Sequence, residues 1–226
     1  MILAVAGGKG GVGKSTVALE LGAQLDAVVV DADLAMADLA AGRGPDLHDV
    51  LAGRADPLEA VCEKGPVTLL PCGRTLAGAR AGDVTRLVSA VEAVEDAYGS
   101  VVVDCPAGMA ADVGMGLLAA DAAVLVTAPR EFALADALRT RALASELDAG
   151  LAAVALNRTG DDPPTAEVRR ALGAPVVAIP DDDRVERAHR HGSPVALLAP
   201  DSEAARRFGE LAEASRLAFD SRSSVR

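Results

Sequence analysis

Gly7-Gly8-Lys9-Gly10-Gly11-Val12-Gly13-Lys14-Ser15-Thr16 is the stretch from which the rest of the chain can be read. From Gly8 to Ser15 it satisfies GxxxxGK[ST], in which glycines let the backbone turn its N–H groups inward around a run of phosphates. Its context supports the match: the apolar run Ile2 to Ala6 precedes it as a strand, and the segment Lys14 to Leu25 follows it as a helix. A helix that starts at the loop adds its positive end to the cradle. Lys14 is then expected to reach the β- and γ-phosphates and the Ser15 hydroxyl to ligate Mg²⁺, with Gly8, Gly10, Gly11, Val12, Gly13 and Thr16 completing the loop. A glycine-rich turn without a ligand is the alternative use of the same residues.

Beyond this loop, short β-branched runs alternate with longer Ala/Leu-rich segments, the pattern of a parallel sheet covered by helices on both faces. Strands are expected at Ile2 to Ala6, Ala27 to Asp31, Val67 to Leu70, Val101 to Asp104, Ala122 to Thr127, Leu151 to Leu156 and Val176 to Ile179. Helices are expected at Lys14 to Leu25, Val84 to Ala97, Leu134 to Leu147, Ala166 to Leu172 and Ser202 to Phe219. Right-handed crossovers then give an α/β fold, a three-layer, doubly wound, mostly parallel sheet. The Pro/Gly/Asp clusters between elements are too short to be linkers, so residues 1–219 read as one domain, followed by a flexible polar tail at 220–226.

Composition narrows the function classes. Half of the 226 residues are hydrophobic, enough for a sizeable core, and no apolar run reaches the roughly 20 residues of a membrane span. The first apolar stretch is short and lacks a basic leader, so no secretory signal is expected, and a cytoplasmic location is the default. Cys62, Cys72 and Cys105 form no CxxC pair, which argues against a disulfide or metal framework. A formal charge of −11 makes a nucleic-acid partner unlikely, because such binding draws on phosphate neutralisation. Lys9, Lys14 and Lys64 are the only lysines, and two of them stand in one glycine loop.

That second lysine carries the next step, since a loop that needs only glycine for its backbone has no structural use for Lys9. The string KGGVGKST resembles the deviant Walker A motif of the MinD/ParA family of P-loop ATPases, in which an extra lysine precedes the usual one. The resemblance extends along the chain. Asp31-Ala32-Asp33-Leu34-Ala35-Met36-Ala37-Asp38 is similar to the family's switch I, Leu47-His48-Asp49-Val50-Leu51 to a segment that follows it, and Val103-Asp104-Cys105-Pro106-Ala107-Gly108 to switch II. Leu156-Asn157-Arg158 and Ile179-Pro180-Asp181-Asp182 resemble the two base-binding segments, and Gly192-Ser193-Pro194-Val195 matches a further family string.

The resemblance implies a P-loop NTPase fold of the deviant Walker A type, ATP/ADP and Mg²⁺ as ligands, and a homodimer formed on ATP in which Lys9 reaches the partner's nucleotide. It implies that Asp104 holds Mg²⁺ through water, that Gly108 senses the γ-phosphate, and that Asp33 orients the attacking water near the metal. Asp31 would support metal and loop; Asn157 would read adenine, with Pro180 and Asp182 flanking the ring. On chemistry alone Asp31 and Asp33 also serve as loop caps, and Asn157 as a turn residue. The implied activity is slow, partner-stimulated ATP hydrolysis, used as a switch that places division machinery, chromosomes, plasmids, motility organelles or sensory arrays through an unidentified protein partner. Rival readings are an iron–sulfur carrier, a P-loop metabolic synthetase and a non-catalytic nucleotide-dependent regulator.

Other residues point elsewhere. His189 and His191 lack further ligands nearby and read as a solvated helix end. Cys62 and Cys72 read as buried small hydrophobes, with Cys105 a reactive thiol only if exposed, and Asp181 to Asp183 as a helix N-terminus. In the last helix Phe208, Leu211, Ala212, Ser215 and Phe219 recur at helical spacing while acidic residues offset the arginines, which favours a core-facing helix over an autonomous membrane anchor.

Overall fold

The computed structural model describes residues 1–8, 10–34, 39, 44–63, 65–73, 75–108, 111–130 and 133–223. Among them seven strands form one parallel sheet: β1 (Ile2–Ala6), β2 (Val28–Asp31), β3 (Leu69–Leu70), β4 (Val101–Asp104), β5 (Ala122–Thr127), β6 (Gly150–Thr159) and β7 (Val176–Pro180), in the order β3-β2-β4-β1-β5-β6-β7. The path leaves β1 toward β2 on one side and later returns across it to β5 on the other. The order therefore reverses at β1, and open α/β sheets bind ligands at the carboxyl ends of the strands beside such a reversal.

The sheet is buried on both faces because its strands are continuous apolar runs whose side chains alternate. Along β1, Ile2, Ala4 and Ala6 join one core cluster while Leu3 and Val5 join the other. The first cluster is covered by α4 (Leu87–Tyr98), α5 (Ala111–Leu118), α6 (Ala133–Glu146) and α7 (Thr165–Leu172). The second is covered by α1 (Lys14–Leu25), α8 (Asp183–Arg190), α9 (Val195–Leu198) and α10 (Glu203–Ser223). Two short helices, α2 (Leu47–Leu51) and α3 (Leu76–Ala81), lie on the β3 side.

Element boundaries moved where tertiary pairing overrode pattern. β6 runs past its expected end at Leu156 to Thr159, because Asn157 pairs with Ile179 and Thr159 with Pro180 of β7, and the Thr159 hydroxyl donates to the Ile179 carbonyl at 3.1 Å. At the other edge β3 shrinks to Leu69–Leu70, with one strand beside it and a single antiparallel bridge to Cys62. The expected helix at Val84 to Ala97 opens as a 3₁₀ turn, Val84–Arg86, capped by Asp83. The last helix starts one step later than expected, after Ser202 accepts from the Ala205 N–H, and runs to Ser223. Its Phe208, Leu211, Ala212 and Ser215 are buried, as a core-facing helix requires.

Candidate functional site

The phosphate-type loop joins β1 to α1 at the carboxyl edge of the sheet. Gly13 caps α1 with φ 96°, a left-handed conformation that L side chains rarely adopt, and a Cβ there would collide with the Asn157 amide nitrogen. The same Asn157 amide donates to the Val12 carbonyl at 2.9 Å, and Arg158 donates to the Gly11 carbonyl at 3.2 Å. Two residues at the end of β6 thus hold the loop's carbonyls outward, which leaves its N–H groups to face a ligand. Lys14 is buried, Ser15 and Thr16 are half-buried on the first turn of α1, and a Cβ on Gly8 would collide with Asp136 of α6 while one on Gly10 or Gly11 would meet nothing within 4 Å. Lys9 lies outside the described residues.

Next to the loop, Asp31 and Asp104 are register partners at the ends of neighbouring strands, and both are fully buried. Burial, followed by the charge of Asp104, pushes the Asp31 carboxyl up to about 8. Two adjacent buried carboxylates are a donor set suited to a divalent cation, whose charge offsets their repulsion. Asp31 Oδ1 accepts from the Asp33 N–H at 3.3 Å and Oδ2 from the Leu39 N–H at 3.4 Å. Its oxygens tie down the following segment. Asp33 is half-buried beside this pair; of the switch I segment, 35–38 lie outside the described residues. No three His, Cys, Asp or Glu side chains among the described residues form a metal cage. Gly108 follows β4 with φ 97°.

A cleft of about 470 Å³ opens on the other side of the loop, lined by Thr16, Asn157, Pro180, Asp182 and, among others, Arg130 and Arg158. Four residues singled out from sequence therefore share one cavity. Asp182 also caps α8, accepting from the Arg184 N–H at 2.9 Å, and the guanidinium of Arg184 holds its carboxyl below the usual range. His189 is half-buried in this cleft, unlike the solvated helix end expected of it, because it shares the inward face of α8 with Val185. His191, by contrast, is exposed, with Nδ1 2.7 Å from the Arg187 carbonyl.

A nucleotide-binding domain family described as CobQ/CobB/MinD/ParA matches residues 3–195. The chain belongs to the MinD/ParA family of ATPases. An ATP-binding protein of Methanocaldococcus jannaschii is 32% identical over 93% of this chain and 85% of its own length. The cell division ATPase MinD of Pyrococcus furiosus has a similar structure, with a TM-score of 0.87 and 30% identity over 94% of this chain and 97% of that one. The septum site-determining protein MinD of Pyrococcus horikoshii, solved with Mg-ADP, superposes with a TM-score of 0.86 at 29% identity over 94% of each chain.

Within this MinD/ParA fold, sequence reasoning missed Arg130 as a cleft residue and gave Arg158 no role beyond its place in the string Leu156-Asn157-Arg158. Their signal was position, since Arg130 follows the end of β5 and Arg158 sits near the end of β6, both at the edge that carries the loop. Cys62 is half-buried, whereas Cys72 and Cys105 are buried. No helix among the described residues is long and apolar enough to cross a membrane.

Proposed function

We propose that this chain is an ATP-timed switch that binds MgATP at the carboxyl edge of its sheet, forms a face-to-face homodimer on it, and is reset by hydrolysis. The observation that carries the reading is convergence. The loop with Lys14 and Ser15, the buried Asp31–Asp104 pair, and the cleft lined by Thr16, Asn157, Pro180 and Asp182 all surround one edge of β1 and its neighbours. Lys14 and the loop N–H groups take the phosphates, Ser15 and Asp104 hold Mg²⁺ with Asp31 behind them, and the cleft takes the base. Asp33 orients the attacking water, Gly108 senses the γ-phosphate, and Lys9 serves the partner's nucleotide. In phosphoryl transfer such positioning and charge stabilisation are most of what a protein supplies. The switch acts in the cytoplasm and positions a larger assembly through a protein partner; the cell-division and septum-site names of the two MinD structures support the positioning role.

Calorimetry with MgATP and a phosphate-release assay test this reading. Lys14→Ala should lose most of its ATP affinity. Asp33→Ala should bind nearly normally and lose about 10²-fold in turnover, because only water positioning is removed. Wild-type binding by Lys14→Ala, or wild-type turnover by Asp33→Ala, contradicts the corresponding assignment.

A further inference from the structure

His48, on α2, is buried but touches the segment that holds Asp33. Its Nε2 stands 3.2 Å from the Leu34 carbonyl oxygen and 3.5 Å from Cys72 Sγ. The Cys72 thiol donates to the Asp33 carbonyl at 3.1 Å. A carbonyl only accepts, so Nε2 carries the proton and donates. The two side chains therefore grip consecutive carbonyls, while Asp31 Oδ1 accepts the Asp33 N–H and the Ala32 N–H donates to the Asp104 carbonyl at 3.0 Å. Asp33 is fixed through both its N–H and its C=O.

The grip is itself anchored. Leu47 and His48, at the start of α2, donate their N–H groups to the Pro71 and Cys72 carbonyls at 2.8 and 3.0 Å, so α2 and the loop after β3 form one unit. Room for the imidazole is made by two glycines: a Cβ on Gly73, whose φ is 124°, would overlap Nδ1, and a Cβ on Gly78 would stand 2.8 Å from it. Nδ1 has no hydrogen-bond partner among the described residues. What the histidine adds is the Nε2–H donor aimed at Leu34.

We infer that His48 and Cys72 form a clasp that positions Asp33, making His48 a positioning residue for ATP hydrolysis. The inference rests on the reading of Asp33 as the water-orienting group. Gln keeps a donor near the place of Nε2, whereas Leu keeps the volume and loses the bond.

The test compares His48→Leu, His48→Gln, Asp33→Ala and the His48→Leu/Asp33→Ala double variant in steady-state MgATP turnover. His48→Leu is expected to lower kcat about tenfold with KM changed less than about twofold, the signature of a lost transition-state interaction. His48→Gln should recover most of that kcat, and the double variant should be no slower than Asp33→Ala alone, because residues acting as a unit are not additive. Amide exchange on the nucleotide-free protein is a second readout, with exchange at Leu34 expected to be about tenfold faster in His48→Leu than in wild type or His48→Gln. Wild-type kcat in His48→Leu beside an impaired Asp33→Ala would overturn the clasp alone. Wild-type kcat in Asp33→Ala would overturn the reading of Asp33 and the clasp with it. A multiplicative loss in the double variant, or failure of His48→Gln to recover both kcat and Leu34 protection, would show that His48 only fills space.

Discussion

Gly13 joins backbone geometry to binding: its left-handed φ starts α1, and its missing Cβ admits the Asn157 amide that holds the Val12 carbonyl. Gly13→Ala should therefore cost about 1–3 kcal/mol in stability from strain and displacement, and weaken nucleotide binding more than an alanine elsewhere in the loop. Thermal unfolding and calorimetry check both, and an unchanged melting temperature would mean that the loop relaxes without strain. Much of this site was legible as spacing. GxxxxGK[ST] between a strand and a helix fixes where Lys14 and Ser15 must stand, and the strand ends fix Asp31 and Asp104. The bond between Asn157 and Val12 was not legible, because it spans 145 positions and depends on β6 lying beside β5. Nor was the grip of His48 on Leu34, since burial alone does not say which carbonyl a buried imidazole will meet.

The helix that carries the loop is also tied to the far side of its layer. Glu20 of α1 is buried, and its Oε1 accepts the Val195 N–H at 2.5 Å, which caps the short helix α9. Burial, only partly offset by the N–H groups of Val195 and Ala196, pushes its carboxyl up to about 7. A raised carboxyl favours the protonated form in the folded state. The stabilisation is fully present below the unfolded pKa near 4.5 and is lost as pH rises through about 7. Over that window Glu20 should cost the fold about 3 kcal/mol, an upper figure for a shift of this size. Asp31 acts in the same direction up to about 8. Denaturant unfolding of nucleotide-free wild type and Glu20→Gln between pH 5 and about 8 separates them: the difference between the two proteins should grow with pH, and a constant difference would mean that Glu20 does not titrate there. The parallel sheet and its layers followed from buried β-branched runs, which have few ways to pack. Boundaries failed where a neighbour decided them, as when β7 lengthened β6 and a sheet edge shortened β3.

At the scale of the whole molecule, the parts proposed to take phosphate, metal and base share one edge, and Lys9 belongs to the same glycine string in the sequence. The role proposed for Lys9 toward a second copy makes the dimer the catalytic unit, so nucleotide state and mass should change together. Lys9→Ala should leave nucleotide binding by the monomer within a fewfold of wild type, unlike Lys14→Ala, while turnover falls because the partner's phosphates lose a charge-stabilising group. Equal loss of binding in the two variants would remove the distinction between the lysines. The most direct measurement is size-exclusion chromatography with light scattering on wild type, Lys9→Ala and Asp33→Ala in MgATP and in MgADP. The expected result is that wild type shifts from monomer toward dimer only in MgATP, Asp33→Ala accumulates as a stable ATP dimer, and Lys9→Ala stays monomeric with nucleotide bound. A wild type that hydrolyses ATP while its mass stays that of one 22.8 kDa chain, with Asp33→Ala equally monomeric, would contradict the switch.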